Sequence, residues 1–442
     1  MTRESRLPGW QVTRRGEFVA AAVTTRTTCP SRTSSAALGL LIVLANALGY
    51  GFIVIAARAL GPADFGLFSA VNSACLVLAT PVGAVQVVVA RRQAEHDGTG
   101  LRLAVGLGGV LVALGAVLSV LAVPAFHLDR GMTMFLAAAN VFPMAITAAL
   151  QGVLLGRGRL VAVGLSVLVT AATRVIAVQA TRAGGHGVDW LFSALLIAGF
   201  ASALLPAWQA RAEIAGARTH LGPGAVRELL RANRTLGALI ALSTVDLLLA
   251  RHYLPAADAG AYALGSVFSK VVMWGTQFLA LGIVPALHPS DSRKRVIEAT
   301  AMVGLIGGLA IAITWWQAPL MVSIVGGSGY GHTEGILVWF VVLGTLLGLA
   351  QVLLYAGMAT DDGRLGLLTW AATAALVVVV IASHHSHAYR ILATALAATA
   401  AVVLLGLVSV FRSPATGLRQ EAGEAVLSRF SPVVSASSAG DS

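Results

Sequence analysis

The sequence predicts an all-α polytopic membrane protein with about twelve transmembrane helices in two six-helix lobes, related by a pseudo-twofold axis along the membrane normal. Three observations support this fold class. Only 11% of the 442 residues are charged, against about 25% in soluble proteins. Apolar runs long enough to cross a bilayer recur along the chain, and the mean hydropathy is +0.83. A turn sequence also occurs twice, once in each half.

The repeated turn covers residues 58–68 and 251–262. Both copies contain Arg, three residues, Pro-Ala, and then Asp-x-Gly-x-aromatic, with one extra Ala in the second copy. Arg58 and Arg251 are 193 residues apart, and Asp64 and Asp258 are 194 apart. Repetition at a fixed offset indicates two related halves. The six crossings expected between the copies place both turns on one face of the membrane, so the halves run parallel.

The chain begins with a polar, arginine-rich segment, residues 1–35, which we interpret as a basic cytoplasmic tail. Its Thr13-Arg14-Arg15 sequence resembles a twin-arginine signal, but a poor export sequence follows and no cleavage site is evident. Residues 412–442 form a second polar tail. Between the tails we expect an N-lobe over residues 36–210 and a C-lobe over 235–411.

Each apolar segment has close to the ~20 residues that a membrane-crossing helix needs, and helices satisfy their own backbone hydrogen bonds in lipid. The expected spans are 36–60, 66–90, 101–125, 131–155, 160–180, 188–210, 235–254, 260–286, 297–318, 334–358, 365–383 and 388–411. The connection 211–234 has an apolar face among five arginines, which favours a helix lying on the cytoplasmic leaflet.

Arginine and lysine residues concentrate in alternate loops, and this pattern sets the orientation. The basic loops contain Arg91, Arg92, Arg102, Arg157, Arg159, Arg211, Arg218, Arg227, Arg231, Arg234, Arg293, Lys294 and Arg295. These loops lie on the side of the N-terminal tail. We therefore expect a multi-pass protein of the cytoplasmic membrane with both termini in the cytoplasm, and the repeated turns on the exterior face.

Four motifs carry a family resemblance: Ala57 to Phe68, Gln151 to Leu160, Asp246 to Tyr262, and Gly326 to Tyr330. Their order and spacing resemble Wzx-type polysaccharide flippases of the multidrug/oligosaccharidyl-lipid/polysaccharide exporter superfamily. The resemblance implies a central cavity between two lobes and alternating-access export of a lipid-linked saccharide for surface polysaccharide biosynthesis. The chain departs from the family pattern in its scarcity of Lys and Tyr and its long N-terminal tail. Relatives that flip the peptidoglycan precursor usually have fourteen helices, so twelve make that role less favoured.

Cationic side chains inside the helices are the first candidates for binding a diphosphate, because they would offset its desolvation. The candidates are Arg174, Lys270, Arg58 and Arg251. For Arg174 a position in the cavity is favoured over snorkelling to the outer interface. For Arg58 and Arg251, snorkelling or turn stabilisation is the favoured interpretation. Asp246, placed about twelve residues into the seventh span, and Lys270 form a candidate charge pair near the bilayer centre. This pair is either structural or an ion-coupling site.

Polar amides within the spans are candidates for helix packing or for hydrogen bonding to sugar hydroxyls. They are Asn46, Asn72, Gln86, Asn140, Gln151, Gln277 and Gln351.

Other chemistries find little support in the sequence. No nucleotide-binding loop and no catalytic constellation occurs, so we expect neither an enzyme nor a cofactor. The net charge of +11 lies at the ends of apolar runs, which argues against nucleic acid. We expect no metal, because His384, His385 and His387 are interpreted as a solvated loop and Cys29 and Cys75 lie far apart.

Two other functions stay open: a multidrug or toxin extruder of the same superfamily, and a membrane glycosyltransferase or ligase. The expected partners are a lipid-linked saccharide, membrane lipids, and a polysaccharide polymerase with its glycosyltransferases. The protein is expected to be a monomer.

Overall fold

The computed structural model describes residues 32–94, 100–127, 131–216, 225–277, 292–359, 364–383 and 387–412. Most of the N-terminal tail, nearly all of the C-terminal tail, and His384 and His385 lie outside these ranges. The described residues form helices and short connections, with no strand among them. The prediction of an all-α polytopic protein is confirmed.

Fifteen α-helices are numbered here in chain order. The first seven are α1 (Arg32–Leu78), α2 (Thr80–Ala94), α3 (Leu101–Phe126), α4 (Met132–Ala139), α5 (Val141–Gly156), α6 (Leu160–Ala183) and α7 (Val188–Gln209). The next four are α8 (Arg211–Gly216), α9 (Ala225–Leu242), α10 (Val245–Tyr253) and α11 (Ala256–Gly275). The last four are α12 (Ser292–Val325), α13 (Glu334–Ala359), α14 (Arg364–Ala382) and α15 (Ala388–Arg412), and a 3₁₀ helix, Ser328–Thr333, precedes α13.

Ten of the described helical stretches are long and apolar enough to cross a membrane. The first, Ala37–Leu78, has 42 residues, about 63 Å of helix at 1.5 Å per residue. That length is roughly twice the ~30 Å hydrocarbon core, so this stretch supplies two of the predicted spans. The less apolar α11, which carries Lys270, is not among the ten, although it covers the first part of the predicted eighth span. Residues 278–286 of that predicted span lie outside the described ranges.

The chain folds back on itself within α1. Gly61 has φ 72° and ψ 175°, a conformation that favours glycine, and Pro62 begins the next helical run. The ring centroids of Phe52 and Phe68 are 6.0 Å apart, whereas sixteen residues of straight helix would separate them by about 24 Å. The predicted turn between the first two spans is therefore reduced to the single non-helical residue Gly61.

Two predicted spans are irregular. The fourth has an irregularity in its hydrogen bonding at Asn140, between α4 and α5, although the backbone angles of Asn140 stay helical (φ −62°, ψ −22°). The seventh breaks at Ser243 and Thr244, so that Asp246 lies in the first turn of the short helix α10. The second part of the predicted surface linker, from Ala225 onward, is continuous with the seventh span in α9. Only its first part forms a separate short helix, α8.

The two halves meet closely at equivalent positions of the repeat. Gly66 and Gly260 are 194 residues apart, and a Cβ atom placed on Gly66 would lie 2.8 Å from the backbone nitrogen of Gly260. A Cβ on Gly260 would overlap the carbonyl group of Pro62. Contact between repeat-equivalent residues is expected where a twofold axis passes. The two-lobe arrangement itself stays a prediction.

We expect Gly260→Ala to destabilise the protein, because the added methyl group meets Pro62 backbone that cannot move aside. Overpacking of this kind costs about 1–3 kcal/mol. Thermal unfolding in detergent should show a lower midpoint for Gly260→Ala. Gly275→Ala on the same helix is the matched control, since no atom lies within 4 Å of its Cβ position. Equal midpoints for the two variants would contradict the close contact.

Candidate functional site: a cavity with two cationic side chains

A cavity of about 700 Å³ lies between helices of both halves of the chain. Its wall is formed mostly by the N-terminal half, from α1, α2, α5, α6 and α7, while α9, α10 and α11 close the other side. The volume falls within the range of about 300–1,000 Å³ that is common for ligand pockets. No Asp or Glu occurs among the described residues that line it.

Arg174 projects from α6 into this cavity and is exposed there. Its guanidinium carbon lies 5.9 Å from the centroid of the Phe52 ring, a cation–π arrangement. Within the described ranges no carboxylate forms an ion pair with it. The guanidinium therefore keeps its hydrogen-bond donors available to a ligand in the cavity.

Lys270 supplies the second positive charge, from α11 on the opposite wall. Its ammonium group donates a hydrogen bond of 3.3 Å to the hydroxyl of Ser73 on α1. Trp274 and Ser266, one helical turn away on either side, line the cavity next to Lys270. Lys270 thus links the C-terminal half to the N-terminal half across the cavity.

Asp246 lies outside the cavity and is only 2% exposed. Its carboxylate accepts a hydrogen bond of 2.9 Å from the Tyr262 hydroxyl and hydrogen bonds from the backbone at Leu247 and Asp246 itself. The charges of Asp246 and Lys270 interact, but among the described residues no ion pair within 4.0 Å joins them. The sequence placed Asp246 in the middle of a helix. In the structure Asp246 lies in the first turn of α10, where backbone N–H groups donate to its carboxylate.

The candidate amides divide into two groups. Those that line the cavity are Asn46, Asn72, Gln86, Asn140 and Gln151. Asn140 donates to the carbonyl oxygens of Leu136 and Phe192 at 2.9 and 3.2 Å, and Gln151 donates to the Ser166 hydroxyl at 3.0 Å. Gln277 and the buried Gln351 lie outside the cavity.

Arg58 and Arg251, the other two diphosphate candidates, also lie outside the cavity. Each donates to backbone carbonyls at the end of a helix. Arg58 donates to Ser323 and Ile324 of α12 at 3.1 and 2.6 Å, and Arg251 donates to Phe126 of α3 at 3.2 Å. Both arginines therefore act as helix caps outside the cavity wall.

Sequence reasoning missed three of the groups that shape this site: Ser73, Phe52 and Trp274. Ser73 and Phe52 are a common hydroxyl and a common apolar ring, and only their neighbours reveal them. Trp274 could have been found, because its spacing of four residues from Lys270 places both on one face of a helix.

Comparisons with known proteins identify the architecture. No protein-family model matches the chain, and no curated protein matches its sequence. Solved structures do match: the lipid II flippase MurJ in an inward closed conformation has a TM-score of 0.67 at 12% identity, over 85% of this chain and 88% of that one. The chain shares the fold of this structure.

Two further structures show the same fold. The eukaryotic MATE transporter AtDTX14 has a TM-score of 0.63 at 11% identity, covering 89% of this chain and 99% of that one. A MOP-superfamily transporter from Pyrococcus furiosus, described by a reverse polarity of its binding pocket, has a TM-score of 0.52 at 14% identity, covering 87% and 99%. At sequence identities this low, the structural similarity shows the fold and does not identify the cargo.

We expect Tyr262→Phe to lower stability, because the variant removes the only side-chain hydroxyl that donates to the buried Asp246 carboxylate in the described structure. A hydrogen bond to a charged group contributes about 1.5–3 kcal/mol. The measurement is the midpoint of thermal unfolding in detergent. Tyr389→Phe is the control, since Tyr389 is 55% exposed. A Tyr262→Phe midpoint equal to that of the control would remove the evidence for this bond.

Proposed function

We propose that the protein is a flippase that moves a polyprenyl-diphosphate-linked oligosaccharide across the cytoplasmic membrane by alternating access, for surface polysaccharide biosynthesis. The observation that carries this proposal is the charge of the cavity. It contains Arg174 and Lys270 and no carboxylate among its described lining residues. A diphosphate is a suitable ligand for two cations in a site of low dielectric constant.

The remainder of the lining supports a saccharide head group. Five amides and several hydroxyl groups offer donors and acceptors, and aromatic rings lie between them. Sugars present hydroxyl groups and apolar ring faces together, so both kinds of surface are useful to them. The lipid tail needs no site in the cavity, since it can stay in the bilayer.

In this function the head group would lie between Arg174 on the N-terminal half and Lys270 on the C-terminal half. Lys270 would exchange Ser73 for a phosphate oxygen, and its interaction with Asp246 would weaken as the phosphate neutralises it. Asp246 is therefore the candidate coupling residue. The energy source would be an ion gradient or the membrane potential, which acts directly on an anionic cargo.

The second candidate is extrusion of drugs or toxins, because MATE transporters share this fold. Cationic drugs would favour carboxylates in the cavity, and its described lining contains none. A membrane glycosyltransferase is a weaker alternative, since the same lining lacks the acidic residues expected for catalysis.

We expect Arg174→Gln to reduce transport of the lipid-linked saccharide by roughly tenfold or more, because a charge-assisted hydrogen bond is worth about 1.5–3 kcal/mol and 1.4 kcal/mol is tenfold. The measurement is the amount of lipid-linked saccharide that stays accessible on the cytoplasmic face of cells. Deletion of the gene should give the largest accumulation.

Arg182→Gln is the matched control, because Arg182 lies in the last turn of the same helix and does not line the cavity. An unchanged cytoplasmic pool on deletion would contradict the flippase. The extruder would be favoured instead if the intact gene restored resistance to a cationic drug in the deletion strain and the Arg174→Gln variant did not.

A further inference from the structure

The two repeat-equivalent arginines make reciprocal contacts between the halves. Arg58 belongs to the N-terminal half and donates to α12 of the C-terminal half. Arg251 belongs to the C-terminal half and donates to α3 of the N-terminal half. The acceptors are equivalent as well, because α3 and α12 correspond to the third and ninth predicted spans. Each half therefore caps the same helix end of the other.

Arg58 and Arg251 precede Gly66 and Gly260, which contact each other, by eight and nine residues in the two copies of the turn. His252, next to Arg251, also bonds across the halves, with its Nδ1 2.8 Å from the carbonyl oxygen of Ala125. The Asp64 carboxylate, within the first copy of the turn, acts electrostatically on Arg251. All these groups lie at the face that the arginine distribution assigns to the exterior.

The same contact lies next to the wall of the cavity. Phe65 and Phe68, on either side of Gly66, line the cavity, and Phe65 packs edge-on against Tyr330 with ring centroids 6.3 Å apart. The Tyr330 hydroxyl donates to the carbonyl oxygen of Ala57 at 3.2 Å. Gly66 and Gly260 are both buried, so backbone packs directly on backbone there.

We propose that Arg58 and Arg251 form a reciprocal latch that holds the exterior end of the cavity closed. Because each arginine and its acceptor belong to different halves, any separation of the halves at this face must break both caps together. In the open state water replaces the lost partners, since helix-end carbonyls and guanidinium groups at a membrane surface are readily hydrated. The exterior end therefore has two states, closed and open, and both arginine caps break in the same transition.

The test measures access to the cavity and needs no cargo, so it stands or fails separately from the proposed function. A single cysteine is introduced as Ser69→Cys, at a lining position one turn from Phe65, in a chain carrying Cys29→Ser and Cys75→Ala. A membrane-impermeant maleimide is applied from outside. We expect slow labelling with both arginines present, and several-fold faster labelling in the Arg58→Ala/Arg251→Ala double variant.

A second reporter separates release of the latch from general loosening. Gln86→Cys lies in α2, further along the lining from Gly66. In inside-out vesicles its labelling should become slower in the double variant, because the halves approach one another at the other face as the exterior end opens. Arg182→Ala, an exposed arginine outside the latch at the exterior end of α6, should leave both rates unchanged.

The single variants Arg58→Ala and Arg251→Ala test whether the two caps break together. Each should raise Ser69→Cys labelling, and the double variant should differ from the product of their effects, because both caps belong to one transition. Unchanged labelling of Ser69→Cys in the double variant would overturn the latch. Faster labelling of both reporters would overturn it too, since that result indicates a loosened fold.

Discussion

The contact between Gly66 and Gly260 is the constraint on which the rest of the structure depends. With hydrogen as the only side-chain atom on each residue, α1 and α11 approach to backbone contact. This approach sets the distance between the halves at one face of the membrane. It also places Phe65 and Phe68 on one wall of the cavity and aligns Lys270 with Ser73 of the opposite half. A side chain at either glycine would change the shape of the cavity as well as the stability of the junction.

Buried charge is the second constraint, since an unpartnered ion inside a membrane bundle is costly. The protein meets this cost differently at each residue. Asp246 is surrounded by the Tyr262 hydroxyl and by backbone donors at the beginning of α10. Lys270 keeps a hydroxyl partner and the nearby carboxylate. Arg174 faces the open cavity beside Phe52. The two cations are thus accessible to a ligand, whereas the carboxylate is enclosed. This asymmetry favours an anionic cargo.

The two copies of the repeated turn make equivalent contacts between the halves. Arg58 and Arg251 occupy the same position of the turn sequence, and they perform the same task in opposite directions across the junction. Neither arginine lines the cavity, and each donates to a helix end of the other half. Their acceptors could not be foreseen, because a backbone carbonyl at a helix end has no sequence signature.

The sequence also could not show which of the candidate amides line the cavity. Gln151 and Gln351 both follow apolar runs, yet only Gln151 faces the cavity, since the cavity lies mainly within the N-terminal half.

The sequence by itself determined the membrane class, the approximate positions of most described helical segments and a repeated turn sequence, because length, hydropathy and self-similarity can be read from the chain alone. It also selected Arg174 and Lys270, since charge inside an apolar run is visible without coordinates. Tertiary structure alone decided the fold-back at Gly61, the break at Ser243 and Thr244 that brings Asp246 to the start of a helix, and the hydrogen-bond partners of Asp246 and Lys270. These features depend on which helix faces meet, and helix faces meet through packing between residues that are far apart in the chain.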